Sequence, residues 1–241
     1  MSGMNANICQ PTQPLLYSKK SREAHAKKIL SVLCDHLGER RLKRCAVLDV
    51  GAGTGLIDTV IALQTKRVIG IDMDTEAIAY AKKKCTKGNL KFRIADAMHL
   101  PFFSDHFDIV ICHQVYEHVG DSKKMFDEIF RVLKPGGICY LAAMNKWFIW
   151  EPHYNMPFLS YLPQSVADVY VRLVGRGTYN AERPKSYTQL RKEVKKFTVF
   201  DYTEKILNNP KKYYYSIPFI LVYFSKILRF LVPTFIWILQ K

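Results

Sequence analysis

Apolar positions along this chain change period several times, and the changes divide it. In residues 17–44, Ile29, Leu30, Leu33 and Leu37 recur at helical spacing with lysines and arginines around them, which predicts a leading amphipathic helix. Short, largely apolar runs then follow: CAVLDV (45–50), RVIGID (67–72), LKFRIAD (90–96), FDIVIC (107–112) and ICYLAA (138–143). Between them, DTEAIAYAKKKC and KKMFDEIFRVL carry the helical period. Strand-like runs that show little alternation and are separated by helices predict an α/β fold, an open, mostly parallel sheet covered by helices.

From about Asn145 the rhythm breaks. WFIWEPHYNMPFLSYLP (147–163) is aromatic and proline-broken, and a helix near 164–175 and a basic turn, GRGTYNAERPK, follow it. SYTQLRKEVKK predicts a helix capped by Ser186, and FTVFDY a strand. The expected organisation is a polar N-terminal arm (1–24), a sheet core (25–145), an insertion (146–185), a returning part of the core (186–210) and a hydrophobic segment (211–241).

That last segment is the most apolar of the chain. From Phe219 to Val232 a helix would span about 21 Å, short of a hydrocarbon core of about 30 Å. Lys226 and Arg229 share one face, which suits a helix lying among lipid headgroups. Continued through Pro233 to Leu239 it would reach about 31 Å, so a tilted span stays open. The other alternative is an element packed on the sheet or in a homodimer, including a last strand.

Composition narrows the company the chain keeps. With 36 Lys and Arg against 21 Asp and Glu, the formal charge of +15 points to anionic partners, either nucleic acid or acidic lipid. The basic runs are interspersed with glutamate and lack aromatics arranged for base stacking, so nucleic acid is disfavoured and an anionic membrane surface reached through 213–241 is expected. The six cysteines show no metal-ligand spacing, so free thiols and no metal are expected. The first 15 residues lack the pattern of a secretory signal, which favours a cytoplasmic protein, peripheral on the cytosolic face of a membrane.

Candidate chemistry starts at Gly51, Gly53 and Gly55, which follow a buried strand and open a helix, where bare backbone lets a nucleotide-like ligand approach. Leu56 stands where the dinucleotide fingerprint wants its third glycine, and no G-K-[ST] ends the loop. Asp72 ends the next strand and can accept both hydroxyls of a ribose. These features point to an adenosine-bearing ligand without a bound pyrophosphate.

VLDVGAGTG (47–55), VIGIDMD (68–74), IADAMHLPF (94–102) and VLKPGG (132–137) together resemble the class I S-adenosylmethionine-dependent methyltransferases, in the small-molecule, type 11-like branch. The resemblance covers roughly residues 25–145 and implies a Rossmann-like sheet of seven strands flanked by helices, with 146–185 as a substrate lid. It implies S-adenosylmethionine as cofactor, with Gly51, Gly53 and Gly55 along its methionine part, Asp72 on the ribose, Met73 against the adenine, and Asp96 with Ala97 at the adenine amino edge. Asp49 is either a cofactor contact or a support for the loop.

HQVYEHV (113–119) takes the position that faces the transferable methyl in this family. It lacks the [D/N]-P-P-[Y/F] pattern of amine methylation and resembles the quinone and sterol branch. Methyl transfer needs alignment, exclusion of water and sometimes a base. The base candidates are His113 and, in the lid, His153 and Tyr154 beside Glu151; Glu117 and His118 read as packing or cofactor-edge residues. The expected function is methylation of a lipophilic or lipid-linked small molecule at a membrane surface. The rivals are an RNA or protein methyltransferase that docks through its basic surface, and a non-catalytic cofactor-binding subunit.

Overall fold

The computed structural model describes residues 18–151, 154–179, 184–215 and 232–241. Ser18 is extended and its hydroxyl accepts from the Ser21 amide, so helix α1 (Lys19–Leu37) starts inside the stretch expected as a polar arm. Gly38, at φ +77°, turns the chain into the short α2 (Glu39–Leu42). Then come β1 (Ala46–Val50), α3 (Leu56–Ile61), β2 (Arg67–Asp72), α4 (Thr75–Lys84), β3 (Leu90–Ile94), β4 (Phe107–His113), α5 (Ser122–Val132) and β5 (Leu133–Met144). The five short apolar runs between 45 and 143 are each strands, and Asp74 caps α4 by accepting from the amides of Glu76 and Ala77.

The insertion holds a two-residue pairing of β6 (Trp150–Glu151) with β7 (Met156–Pro157), a single 3-10 turn at Leu159–Tyr161, and α6 (Gln164–Leu173). These pack on a small cluster of their own, Met156, Leu159, Ala167 and Val171. The insertion closes on itself where Asn145 bridges Lys185. Ser186 and Gln189 then form a reciprocal cap on α7 (Tyr187–Glu193), followed by β8 (Thr198–Asp201), α8 (Thr203–Asn208) and β9 (Thr234–Gln240).

The seven strands lie in the order β3-β2-β1-β4-β5-β9-β8, parallel from β3 through β5, with β9 antiparallel to both of its neighbours. Alternate strand residues feed two cores. Val47, Ile109, Ile111, Tyr140 and Ile238 meet α1, α3, α4 and α8 on one face, while Leu48, Val110, Cys139 and Trp237 meet α5 and α7 on the other. The chain starts in the middle of the sheet, runs outward to β3 and restarts beside β1 at β4. That reversal opens a crevice at the carboxyl ends of β1 and β4, where open α/β sheets place ligands.

The structure decides the end of the C-terminal segment in favour of the last strand that the sequence left as an alternative. Phe235 to Leu239 form a buried strand between β5 and β8, so a helix running through Pro233 to Leu239, and with it the tilted span, does not exist. A short apolar run covered on both faces has no alternation that would distinguish it from a buried helix. Pro233 was the available boundary signal, and its carbonyl accepts from the Asn145 amide at 3.0 Å. Residues 216–231, with Lys226 and Arg229, lie outside the described residues. Among those described, no helix is long and apolar enough to cross a membrane.

Candidate active site

Val50 pairs with Cys112, so the loop after β1 and the turn after β4 lie side by side. A Cβ on Gly51, at φ +78°, would sit 2.4 Å from Val115 Cγ2, so this glycine serves the packing of the two loops on each other. Gly53, at φ +52°, differs: a Cβ there would meet nothing within 4 Å, and its amide donates to Asp72 Oδ2 at 2.8 Å. Gly55, by contrast, packs against Phe92. The Asp74 amide donates to Asp72 Oδ1 at 2.9 Å, which fixes the carboxylate and leaves each oxygen with accepting capacity. Burial raises the Asp72 carboxyl and these amides oppose the rise.

Met73 is 53% exposed beside Asp72. After β3, Asp96 accepts from the Met98 amide at 2.8 Å and meets His99 Nδ1 at 3.0 Å, next to the buried Ala97. Burial would raise Asp96, but His99 and the amide outweigh it and hold the carboxyl below its ordinary value. Asp49 and Asp58 lie beneath the loop, both buried. Burial pushes Asp49 up to about 7, with the Asp72 charge adding to the rise and Asp58 and Arg22 opposing it, and Asp58 is driven well above its ordinary value. Two carboxyls so close and so dry hold a proton between them at neutral pH.

His113 ends β4 at the crevice, and its Nε2 lies 3.3 Å from His25 Nδ1 on α1, with the rings edge to face at 5.0 Å. Burial first, then the facing His25 and the Arg22 and Lys28 charges, lower His113 to about 3, and burial, Lys28 and Arg22 lower His25 to about 4, so both imidazoles are neutral at pH 7. Sequence reasoning missed His25. Its only signal was that Arg22, His25 and Lys28 recur every third residue, a polar stripe on a helix whose buried face is Ala26, Ile29 and Leu33.

The rest of the 113–119 segment fastens the insertion, the stretch that the sequence reading expects to be a lid. The buried Tyr116 hydroxyl donates to the Met144 carbonyl at 2.6 Å and accepts from the Lys185 amide at 2.7 Å, tying β5 to both ends of the insertion. Glu117 is buried, and the His118 amide donates to the Val115 carbonyl. In the lid, Glu151 is buried and accepts from the Tyr154 amide at 2.6 Å, while the Tyr154 hydroxyl donates to the Thr178 carbonyl at 3.2 Å inside the lid's own cluster. His153 lies outside the described residues. The outer lid carries exposed Phe158, Val166, Val169 and Leu173, the last 81% exposed, around an open groove.

Residues 48–141 match a family described as a methyltransferase domain. A ubiquinone biosynthesis O-methyltransferase of Psychrobacter arcticus is 34% identical over 158 residues, 62% of this chain and 57% of that protein. One from Coxiella burnetii is 31% identical over 154 residues, 61% of this chain and 62% of that protein. The chain thus spans somewhat over half the length of these relatives. Among solved structures, a methyltransferase from Haloferax volcanii in complex with a methyltransferase activator superposes with TM-score 0.63 at 16% identity, over 97% of this chain and 98% of that one. An S-adenosylmethionine-dependent methyltransferase from Mesorhizobium loti gives 0.59 at 15% identity, over 94% and 100%. At such identities these two establish the fold alone. The family match over β1 to β5, the curated relatives and the shared fold agree: residues 48–141 carry a methyltransferase domain, and the chain has the fold of S-adenosylmethionine-dependent methyltransferases.

Proposed function

We propose that the protein uses S-adenosylmethionine to methylate a hydroxyl oxygen of a lipophilic small molecule at a membrane surface. The observation that carries the reading is the convergence of the glycine loop, Asp72 and His113 on one crevice, with the lid rooted beside it. The residues fit the cofactor: the space above Gly53 is open, and the Asp72 carboxylate is pre-oriented with accepting capacity to spare. When bound, the cofactor supplies a methyl carbon already activated by a sulfonium. The chain's own part is to hold the ribose through Asp72, border the adenine with Met73, Asp96 and Ala97, and align the acceptor beneath the lid.

An oxygen acceptor on a lipophilic molecule is supported by the relatives named as ubiquinone biosynthesis O-methyltransferases. The membrane surface is supported by the charge of +15, by the apolar outer lid and by the sequence of 216–231. That last stretch rejoins the structure at the lid root, where the Asn145 side-chain amide donates to the Val232 carbonyl at 2.9 Å.

The test is incubation of the full chain with methyl-labelled cofactor and a polyprenyl catechol in acidic vesicles, followed by mass spectrometry. A labelled methyl ether is the expected product. Label found only in added RNA or protein, or no label at all, would overturn the reading.

A further inference from the structure

A groove of about 410 Å³ at the root of the insertion is lined by Lys146, Pro184, Lys185, Gln189, Lys192 and Glu193. Its carboxylate is engaged at both oxygens: Glu193 Oε1 takes the Lys185 ammonium, and Oε2 accepts from the Ser122 hydroxyl at 2.8 Å. Lys146 and Lys192 have no carboxylate partner among the described residues, so two positive charges remain over the groove. The walls are fixed from behind. The Lys146 amide donates to the Lys185 carbonyl at 3.2 Å, and the Lys185 amide donates to the buried Tyr116 hydroxyl at 2.7 Å. Buried Asn145 accepts from the Trp147 amide at 3.0 Å and donates its side-chain amide to the Val232 carbonyl at 2.9 Å. Beside the lysines the surface turns apolar: Trp147 is 41% and Trp150 45% exposed with Ile149 between them, and Lys146 Nζ lies 5.2 Å from the centre of the Trp147 ring.

We propose that this groove binds the phosphate of an acidic phospholipid headgroup, with Lys146 and Lys192 on the phosphate and Trp147 and Trp150 in the interfacial layer beside it. The proposal rests on the membrane reading above. A free anion would satisfy the two lysines but leave the indoles and Ile149 in water. A bilayer interface covers both, because indole rings settle at headgroup level and each cation near an acidic surface adds to binding.

The chain outside the described residues points to the same source. Residues 216–231, whose charged side chains are Lys226 and Arg229 alone, return to the fold at Val232, and Asn145 holds Val232 and Trp147 together. The groove, the exposed indoles and the end of that apolar stretch therefore share one corner of the molecule. Bound in this way, the root of the insertion lies at headgroup level, within reach of a lipophilic acceptor in the same leaflet.

Two experiments on the full chain test this. In flotation, Lys146→Glu/Lys192→Glu should weaken binding to vesicles of phosphatidylglycerol in phosphatidylcholine at least about tenfold and keep affinity for S-adenosylhomocysteine within about twofold. Lys146→Gln/Lys192→Gln takes its place should the glutamate variant not fold. Lys43→Glu/Lys66→Glu, the same change of charge just before β1 and β2, should weaken vesicle binding by less than about threefold. The second experiment uses Trp150→Phe, in which Trp147 is the exposed indole and Trp237 is buried. Dihexanoyl phosphatidylglycerol, kept below its micelle concentration, should change the emission saturably, and adding Lys146→Glu/Lys192→Glu should abolish the change. Dihexanoyl phosphatidylcholine and inorganic phosphate should give no saturation. Equal losses in the two charge reversals, saturation by inorganic phosphate, or a groove variant that loses retardation of an RNA oligonucleotide but keeps its vesicle binding overturns the inference and leaves the membrane reading standing. Wild type that ignores vesicles yet saturates with the short-chain acidic lipid sinks the membrane reading and supports the headgroup site; absence of that saturation overturns the site itself.

Discussion

Replacing Asp72 by alanine removes two acceptors from the loop, and with them the two that the proposed function assigns to the ribose. Charge-assisted hydrogen bonds of this kind contribute about 1.5–3 kcal/mol each, so affinity for S-adenosylhomocysteine should fall at least about tenfold by calorimetry. The Gly53 and Asp74 amides lose their partner too, so the variant should also melt lower, and Asp72→Asn, which keeps one acceptor, should fall between. Unchanged affinity in a folded Asp72→Ala protein would remove the ribose assignment. Two sets of buried groups oppose each other over the same acid-to-neutral range of the stability profile. Unfolded histidine titrates near about 6.5, whereas folded His25 and His113 sit at about 4 and about 3, so acidification from about 6.5 protonates the unfolded chain first and stability is lost towards the folded values. Folded Asp49, raised to about 7, has the reverse sign: its contribution is full below the unfolded carboxylate value and is lost as pH rises through about 7. Thermal melts between about pH 3 and pH 7 should therefore show an acid limb that flattens in His25→Asn/His113→Asn and steepens in Asp49→Asn/Asp58→Asn. A limb unaltered by these changes would mean that other groups set it. The glycines and Asp72 were legible in the sequence because backbone space and a strand-end carboxylate are local properties. His25 was not, because it meets His113 across 88 positions of chain and nothing local marks that contact.

At the scale of elements, the turn after β4 is a fastener between the sheet and the lid. Tyr116→Phe strands the Met144 carbonyl and the Lys185 amide in a buried place, a cost of about 1–3 kcal/mol. Because those two groups mark the lid root, the variant should raise KM for the acceptor more than it weakens binding of S-adenosylhomocysteine. Equal effects on both ligands would mean that the lid and the cofactor loop move as one body. Gly51→Ala should do the opposite and reach the cofactor loop first, because its Cβ can be housed only by displacing Val115. The helices and strands through β5 were readable because each is marked by its own period and caps, as at Asp74 and Ser186. Within the lid, α6 was legible from its period, but the pairing of β6 with β7 was not, since two-residue strands carry no period and are held by a local cluster.

At the scale of the whole molecule β9 joins β5 to β8, and this changes how the proposed membrane attachment can be tested. Were residues 213–241 one apolar tract covered by an anionic bilayer, their removal would leave a soluble domain that still binds cofactor. In the fold, the end of that tract is β9, which supplies the hydrogen-bonding partner of both β5 and β8 and buries Phe235, Ile236, Trp237, Ile238 and Leu239. Burying a large apolar side chain contributes about 1.5–3 kcal/mol, and five of them approach the whole stability of an ordinary domain of about 5–15 kcal/mol. Removal of 213–241 should therefore unfold the protein, with loss of the cooperative melt and of cofactor binding. The informative variant keeps β9 and replaces only 216–231 with a flexible glycine–serine linker of equal length. That protein should stay folded and bind S-adenosylhomocysteine, because all seven strands, β9 among them, are kept. If the replaced stretch holds the protein to lipid, flotation with acidic vesicles should weaken in the linker variant and in Lys226→Glu/Arg229→Glu, since reversed charge then faces the phosphates. The apolar outer lid should retain a residual, salt-insensitive share of binding, which Val169→Asp/Leu173→Asp would remove. Wild-type protein that ignores acidic and neutral vesicles alike would overturn the membrane reading while leaving the fold and the cofactor crevice as they are.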